Sequence, residues 1–442
     1  MPENTKFRRL VLMFDGTWNE RHNLTNVARM FEAIDDYKPD KDEEVDPDCE
    51  PLQLVKYLKG VGTNKLGSYL GGAFGYGLSD IIKEGYRWLS NNYREGDEIF
   101  VFGFSRGAYS ARSLVSLVHR CRGVLRRKPG DPEIPAAVLN EAYKLYRGYV
   151  ETTDGVNANY EKQLEEFSAK HCQLVTVKML GVWDTVGALG IPDSAFKLSW
   201  KILEPLSNLM DSVVPWSRKH YGFHGQGLPC IVENAYHALA IDEHREDFAP
   251  TLWDKRKPEN KEVKQVWFIG SHCNVGGGAT GDEDEDPDDL WQYSYIWMQH
   301  KAQNLGLRFY WVYGSGKAIE LGEPEKPKLE SMPSGTAADR RRVSKTKVQD
   351  SYGQMIRGYY AWFHKPFHRD VVNSVGASLH WSVKERIQQD KKYRPKSLLS
   401  GPEEQCLTEI PDRPLPEEIC SCKKPLHTDT AVTNGHLSKK QS

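Results

Sequence analysis

The chain has 442 residues, 39% of them hydrophobic and 27% charged, and a formal net charge of −2. That is ample for a large buried core, and it reads as a soluble globular protein. The near-neutral balance leaves no electrostatic footprint for nucleic acid.

Residues 1–9 carry basic side chains but no apolar core of signal-peptide length. No stretch reaches the roughly 18 apolar residues of a membrane span. A cytoplasmic setting is therefore expected, with export by a dedicated secretion system left open. The eight cysteines share no C-x-x-C spacing, so neither zinc nor a disulfide framework is indicated. Cys420 and Cys422 fall in a polar tail.

The first predicted strand is Arg9–Phe14, apolar from Leu10 on, and it runs into Asp15-Gly16-Thr17-Trp18-Asn19. A buried strand ending in small and polar residues delivers a loop to the carboxyl edge of a sheet, where open α/β sheets place their sites. Asp15 is read as orienting that loop, and Gly16 or Thr17 as offering an N–H to a developing oxyanion. A short helix is predicted over 26–34, then a solvated acidic loop and a second strand over 52–58. The glycines at 60, 62, 71, 72, 75 and 77 match neither a phosphate loop nor a dinucleotide fingerprint. They are read as loops of close backbone approach. Leu78, Ile82, Leu89 and Tyr93 mark the helix that follows.

Ile99–Phe102 is a short apolar run, right for a buried parallel strand. It leads into Gly103-Phe104-Ser105-Arg106-Gly107-Ala108 and then a helix with Ala111, Leu114, Val115 and Val118 on one stripe. Strand, tight turn, exposed serine, helix is the context of a nucleophile elbow. Gly103 and Gly107 let strand and helix approach, and the Arg106 N–H opens the helix where an oxyanion would develop.

A surface loop is predicted over 120–135, with helices over 136–151 and 160–170. A strand over 174–182 ends at Trp183-Asp184, an acid at the carboxyl end of a core strand and downstream of the serine. Residues 195–216 show helical apolar spacing suited to a lid or to a packed surface helix. Residues 236–245 mix apolar and ionisable types and are read as packing beneath the site. The strand over 263–269 ends in Gly270-Ser271-His272, a histidine placed third in the order Ser, Asp, His. His237, His244 and His380 compete with it. The acidic run at 281–289 does not fit an EF-hand, and a helix is predicted over 290–305. Residues 322–343 read as a linker or surface loop, and 351–383 as an aromatic segment that packs back on the core.

Together Phe14-Asp15-Gly16-Thr17-x-Asn19, Gly60-Val61-Gly62-Thr63, Gly103-x-Ser105-x-Gly107, Trp183-Asp184-Thr185-Val186-Gly187 and His272-x-x-Val275-Gly276-Gly277-Gly278 resemble an α/β-hydrolase family long known as a domain of unknown function. It is also called the type VI secretion lipase effector, or Tle-like, catalytic domain, and several bacterial members are phospholipases A. The resemblance runs from about Arg8 to Leu307. It implies a three-layer α/β fold with a mostly parallel sheet and helical insertions. It further implies a serine nucleophile at Ser105, an acid at Asp184 and a base at His272; no cofactor or metal is expected. The family's last motif usually has Asp where this chain has Asn274. His380 is the fallback base, because His380-x-Ser382-Val383 also resembles a family histidine motif.

The expected organisation is a catalytic domain over 1–325, a segment packing on it over 326–398, and a disordered polar tail over 399–442. The expected activity is cleavage of a carboxylic ester, with a small-molecule or lipid substrate and peripheral membrane contact left open. A thioesterase or peptidase on the same three residues, or a non-catalytic binding member, stands as the alternative.

Overall fold

The computed structural model describes residues 8–16, 19, 21–35, 53–60, 72–151, 158–187, 228–278, 290–310, 348, 366–369, 371 and 375–398. Thr17, the apolar segment over 195–216, the acidic run over 281–289, the linker over 322–343 and everything from 399, including Cys420 and Cys422, lie outside them.

The first strand, β1 (Arg9–Phe14), sends its side chains alternately to two cores. Leu10, Leu12 and Phe14 enter one, Val11 and Met13 the other. A strand apolar on both faces must be covered on both, and this determines the architecture. After α1 (Asn26–Ala33) and β2 (Gln53–Leu58) come α2 (Gly72–Asn92), β3 (Glu98–Phe104) and α3 (Arg106–Arg120). The two-residue strands β4 (Val124–Leu125) and β5 (Cys172–Gln173) pair antiparallel around α4 (Ala136–Glu151) and α5 (Ala158–His171). Then follow β6 (Val177–Trp183), β7 (Val232–Ala240), β8 (Glu262–Phe268), α6 (His272–Gly276) and α7 (Trp291–Asn304). β9 (Ala377–Leu379) and α8 (Trp381–Gln389) come last among the described strands and α-helices.

Seven strands form one sheet in the order β2-β1-β3-β6-β7-β8-β9, and every pairing in it is parallel. Helices α2 to α5 cover one face through Ile82, Tyr86, Leu114, Val118, Tyr146 and Phe167. Helices α1, α7 and α8 cover the other through Val27, Met30, Tyr295, Met298 and Val383. The result is the expected three-layer α/β sandwich. Strand order reverses at β1, with β2 on one side and β3 on the other, so the carboxyl ends of β1 and β3 flank a topological switch point.

Two sequence expectations need correction. Gly72, Gly75 and Gly77 belong to α2 rather than to a loop. Glycine costs a helix only about 1 kcal/mol, and the buried stripe of Leu78, Ile82, Tyr86 and Leu89 outweighs it. Residues 232–240 form a central strand that no periodicity revealed. A strand buried on both faces does not alternate, and its Glu233 and His237 hide the apolar run. Among the described residues, no helix is long and apolar enough to cross a membrane.

Candidate active site

Four loops at the carboxyl edge build the site. Ser105 stands between β3 and α3 with φ 57° and ψ −124°, a conformation that L-residues rarely hold. Its N–H donates to Trp183 O at 3.0 Å, and its carbonyl accepts from Tyr109 at 3.2 Å. The turn survives because the residues two before and two after Ser105 lack side chains. A Cβ on Gly103 would come within 2.7 Å of the Ala108 backbone, and one on Gly107 within 2.3 Å of the Phe14 and Asp15 carbonyls. Strand β1 thus abuts the elbow directly.

The turn after β6 carries Asp184, fully buried and itself at φ 38°. The loop after β8 carries His272, 4% exposed, as the first residue of α6. His272 Nε2 lies 2.8 Å from Ser105 Oγ, and His272 Nδ1 lies 2.6 Å from Asp184 Oδ2. An ionised carboxylate only accepts, so Nδ1 carries the proton and Nε2 accepts from the serine hydroxyl. Such a relay can take the hydroxyl proton onto an imidazole whose tautomer is held in place. Burial lowers the pKa of His272, and Asp184 partly restores it. The ring is therefore an available base near neutral pH. Burial alone would raise the pKa of Asp184, but the Arg369 guanidinium and then His272 hold it well below the usual carboxylate range.

The remaining predicted site residues fall as follows. Arg106 opens α3, so its backbone lies in the helix's first turn beside Ser105. Burial lowers its guanidinium pKa to about 10. Gly16 donates its N–H to Asp15 Oδ1 at 2.7 Å, so service as an oxyanion donor requires that bond to open. The other oxygen of Asp15 accepts from the hydroxyls of Thr25, at 2.8 Å, and Tyr57. Thr25 in turn caps α1, so Asp15 ties the β1 loop to two other elements. Burial raises the pKa of Asp15, and these three donors partly offset the effect.

Asn274 does not reach the imidazole through any described bond. Its Oδ1 accepts from Ser271 N at 2.9 Å and Ser271 Oγ at 3.0 Å, closing a capping box at the start of α6. The carboxylate in contact with the His272 ring is that of Asp184, not a group at position 274.

The competing histidines have other partners. His380 caps α8, with its Nδ1 2.8 Å from Ser382 Oγ and its ring stacked on Phe268. His244 Nδ1 donates to Phe367 O at 3.2 Å. His237 Nε2 accepts the Thr185 N–H at 3.1 Å, and its Nδ1 faces Gln265 Oε1 at 3.3 Å. It thereby props the Asp184 turn from behind. Burial, then the nearby charge of Arg112, pulls the His237 pKa down to about 3. Between pH 6.5 and 3 the unfolded chain binds this proton and the native chain does not, so stability falls as pH falls. The slope is about 1.4 kcal/mol per pH unit for this group. A His237→Gln variant should show a shallower loss of urea midpoint between pH 7 and pH 5 than the native chain. An unchanged slope would rule out this origin.

Sequence reasoning missed three contributors. Glu243, fully buried, accepts the His272 backbone N–H at 3.2 Å and pairs with Arg245 at 2.7 Å. Burial works against ionisation of Glu243, but the Arg245 contact prevails and brings its pKa down to about 2. Arg369, 1% exposed, donates from both terminal nitrogens to Asp184, at 2.6 and 3.0 Å. No local pattern marks it, since its partner lies 185 positions away. Among the described residues, no group of three His, Cys, Asp or Glu side chains could hold a metal ion.

A sequence model described as "T6SS, Phospholipase effector Tle1-like, catalytic domain" matches residues 8–301, more than half of the chain. The uncharacterized protein YEL023C of Saccharomyces cerevisiae is 25% identical over 264 residues, 54% of this chain and 32% of that protein. A crystal structure of an uncharacterized protein from Pseudomonas aeruginosa aligns at 15% identity and TM-score 0.35, over 68% of this chain and 46% of that one. The Tle1 effector bound to the VgrG spike from the Type 6 secretion system aligns at 16% identity and TM-score 0.32, over 64% and 52%. The chain thus spans about a third of the yeast relative, at 32%, and about half of each solved chain, at 46% and 52%.

Proposed function

Because the chain belongs to the T6SS Tle1-like phospholipase effector catalytic-domain family, we propose that it is a serine hydrolase acting on the carboxylic ester of a lipid. The reading rests on one observation above all. A serine in a strained elbow, an imidazole at 2.8 Å and a carboxylate at 2.6 Å form a continuous relay. Ser105 Oγ attacks the acyl carbonyl while His272 Nε2 takes its proton. The oxyanion forms beside the first turn of α3, where the Arg106 N–H is the nearest candidate donor. The C–O bond to the leaving alcohol then breaks, and His272 returns the proton to that oxygen. Water, deprotonated by the same imidazole, cleaves the acyl-serine, and Ser105 recovers its proton. Asp184 holds the imidazole in one tautomer and stabilises its cation throughout.

The decisive test uses a fluorophosphonate. Ser105 Oγ should form a bond to phosphorus as fluoride leaves, and the label should map to the peptide containing Ser105. A panel of diacyl phospholipids, short acyl esters, thioesters and peptides then sorts the substrate class, with cleavage of the phospholipid acyl ester expected. No labelling of the folded chain, or labelling elsewhere only, would leave the reading without its nucleophile. Peptide or thioester cleavage in place of ester cleavage would transfer the same residues to the alternative class.

A further inference from the structure

We propose that Arg369 is a positioning residue of this site, one that sets both the orientation of Asp184 and the proton affinity of His272. We further propose that the segment carrying it, residues 366–398, is a working part of the catalytic unit. The inference rests on the proposed roles of Ser105, His272 and Asp184.

The geometry is that of a clamp. Arg369 Nη1 donates to Asp184 Oδ1 and to Ala240 O, at 2.6 and 2.7 Å. Its Nη2 donates to Asp184 Oδ2 and Phe248 O, at 3.0 and 2.6 Å. A planar guanidinium matched to both carboxylate oxygens fixes the carboxylate plane, which a point charge cannot do. The two carbonyls bring the ends of β7 and of the loop beyond it into the same unit. With Asp184 Oδ1 also accepting from Ala240 N at 3.0 Å, Oδ2 is left facing the imidazole.

The rest of the segment repeats the pattern. Tyr393 donates to Asp242 at 2.8 Å, and Asp242 accepts the Gly270 N–H, also at 2.8 Å, in the loop that carries His272. Ser397 donates to Ile241 O at 3.2 Å, and Phe367 N donates to His244 O at 2.8 Å. Residues beyond the family match, which ends at 301, therefore hold the two loops that carry Asp184 and His272 and the loop after β7 that stands between them.

The ionisable groups around the imidazole are Asp184 from the β6 turn, Glu243 and Arg245 from the loop after β7, Cys273 beside it in α6, and Arg369. His237 and Arg112 stand behind Asp184. Two carboxylates thus face two guanidiniums, and the charge of Asp184 is shared between Arg369 and His272. Without Arg369, the two carboxylates outnumber the remaining guanidinium, the imidazolium is favoured, and the base form requires higher pH.

The test measures the second-order rate of fluorophosphonate labelling against pH in the full chain. For Arg369→Met, the rate at pH 7 should fall about a hundredfold, and the acid limb should move up by about one pH unit. Arg369→Lys keeps the charge but loses the fork. Its rate should fall while the limb stays near the native position. A Met variant whose rate loss merely follows its folded fraction, with the limb unmoved, overturns the proposal. So does a Lys variant that labels at the native rate. If the Met variant gives no folded protein, Arg369→Lys decides alone by the same criterion. Ser105→Ala runs beside them, and labelling that persists there fails the parent reading rather than this one.

Discussion

Ser105→Ala should lower ester turnover by roughly 10⁴- to 10⁶-fold while leaving substrate affinity close to native. The hydroxyl makes the bond to the acyl carbon, so nothing else in the relay can replace it. His272 would keep its bond to Asp184, and the oxyanion donors would remain, so a small residual rate over water is expected. The same position stores backbone strain. At φ 57° and ψ −124°, a residue with a Cβ is held at a cost of about 1–3 kcal/mol. Ser105→Gly should thus be as inactive as Ser105→Ala yet more stable than it by about 1 kcal/mol, after the extra unfolded-state entropy of glycine is counted. Urea midpoints of the two variants, with turnover of the ester found in the substrate panel, check both halves. Near-native turnover by the alanine variant would sink the nucleophile assignment. A glycine variant less stable than alanine would refute the strain.

Asp184→Asn should act on activity and stability together. The amide accepts on one side only, which lets the imidazole turn to the tautomer with its proton on Nε2. That tautomer cannot take the serine proton, and turnover should fall about 10⁴-fold. Meanwhile Arg369 stays fully buried without its counter-charge, a loss of about 3–5 kcal/mol. The pH dependence follows from the depressed pKa of Asp184 in the folded chain. Its contribution is complete above the unfolded value, 3.8, and is lost only as pH falls below that. The stability gap between native and variant chains should therefore be flat from pH 8 to about 4 and close below it. The double variant Asp184→Asn/Arg369→Met should regain much of the stability and none of the activity, because it removes the orphaned charge but not the tautomer error. Equal activity in native and Asp184→Asn chains would show that another group orients His272.

The predicted elbow was readable because everything it needs lies within one unbroken stretch, from Ile99 to Val118. An apolar strand, two glycines around a serine and an amphipathic helix are local, and their geometry follows from sterics. Asp184 and His272 were readable more weakly, from chain order and from each ending a buried strand. β7 was not, since a strand covered on both faces carries no alternation and His237 interrupts its apolar run. The helical start of α2 was hidden by glycines that propensity alone assigns to loops. Glu243 and Arg245 stood in a stretch read as packing beneath the site, but nothing local assigned either of them a partner there.

By itself, the amino-acid sequence determined the layered α/β class and the family, and it nominated the three residues on which the proposed chemistry depends. Each of these follows from short-range patterning or from ordered motifs. Tertiary structure alone decided which histidine meets Ser105, that Asn274 serves as a cap, and that Arg369 pairs with Asp184. Those are contacts between residues up to 185 positions apart. A guanidinium has the same local signature on a solvated surface as beneath an active site, and only the folded chain determines which carboxylate it meets.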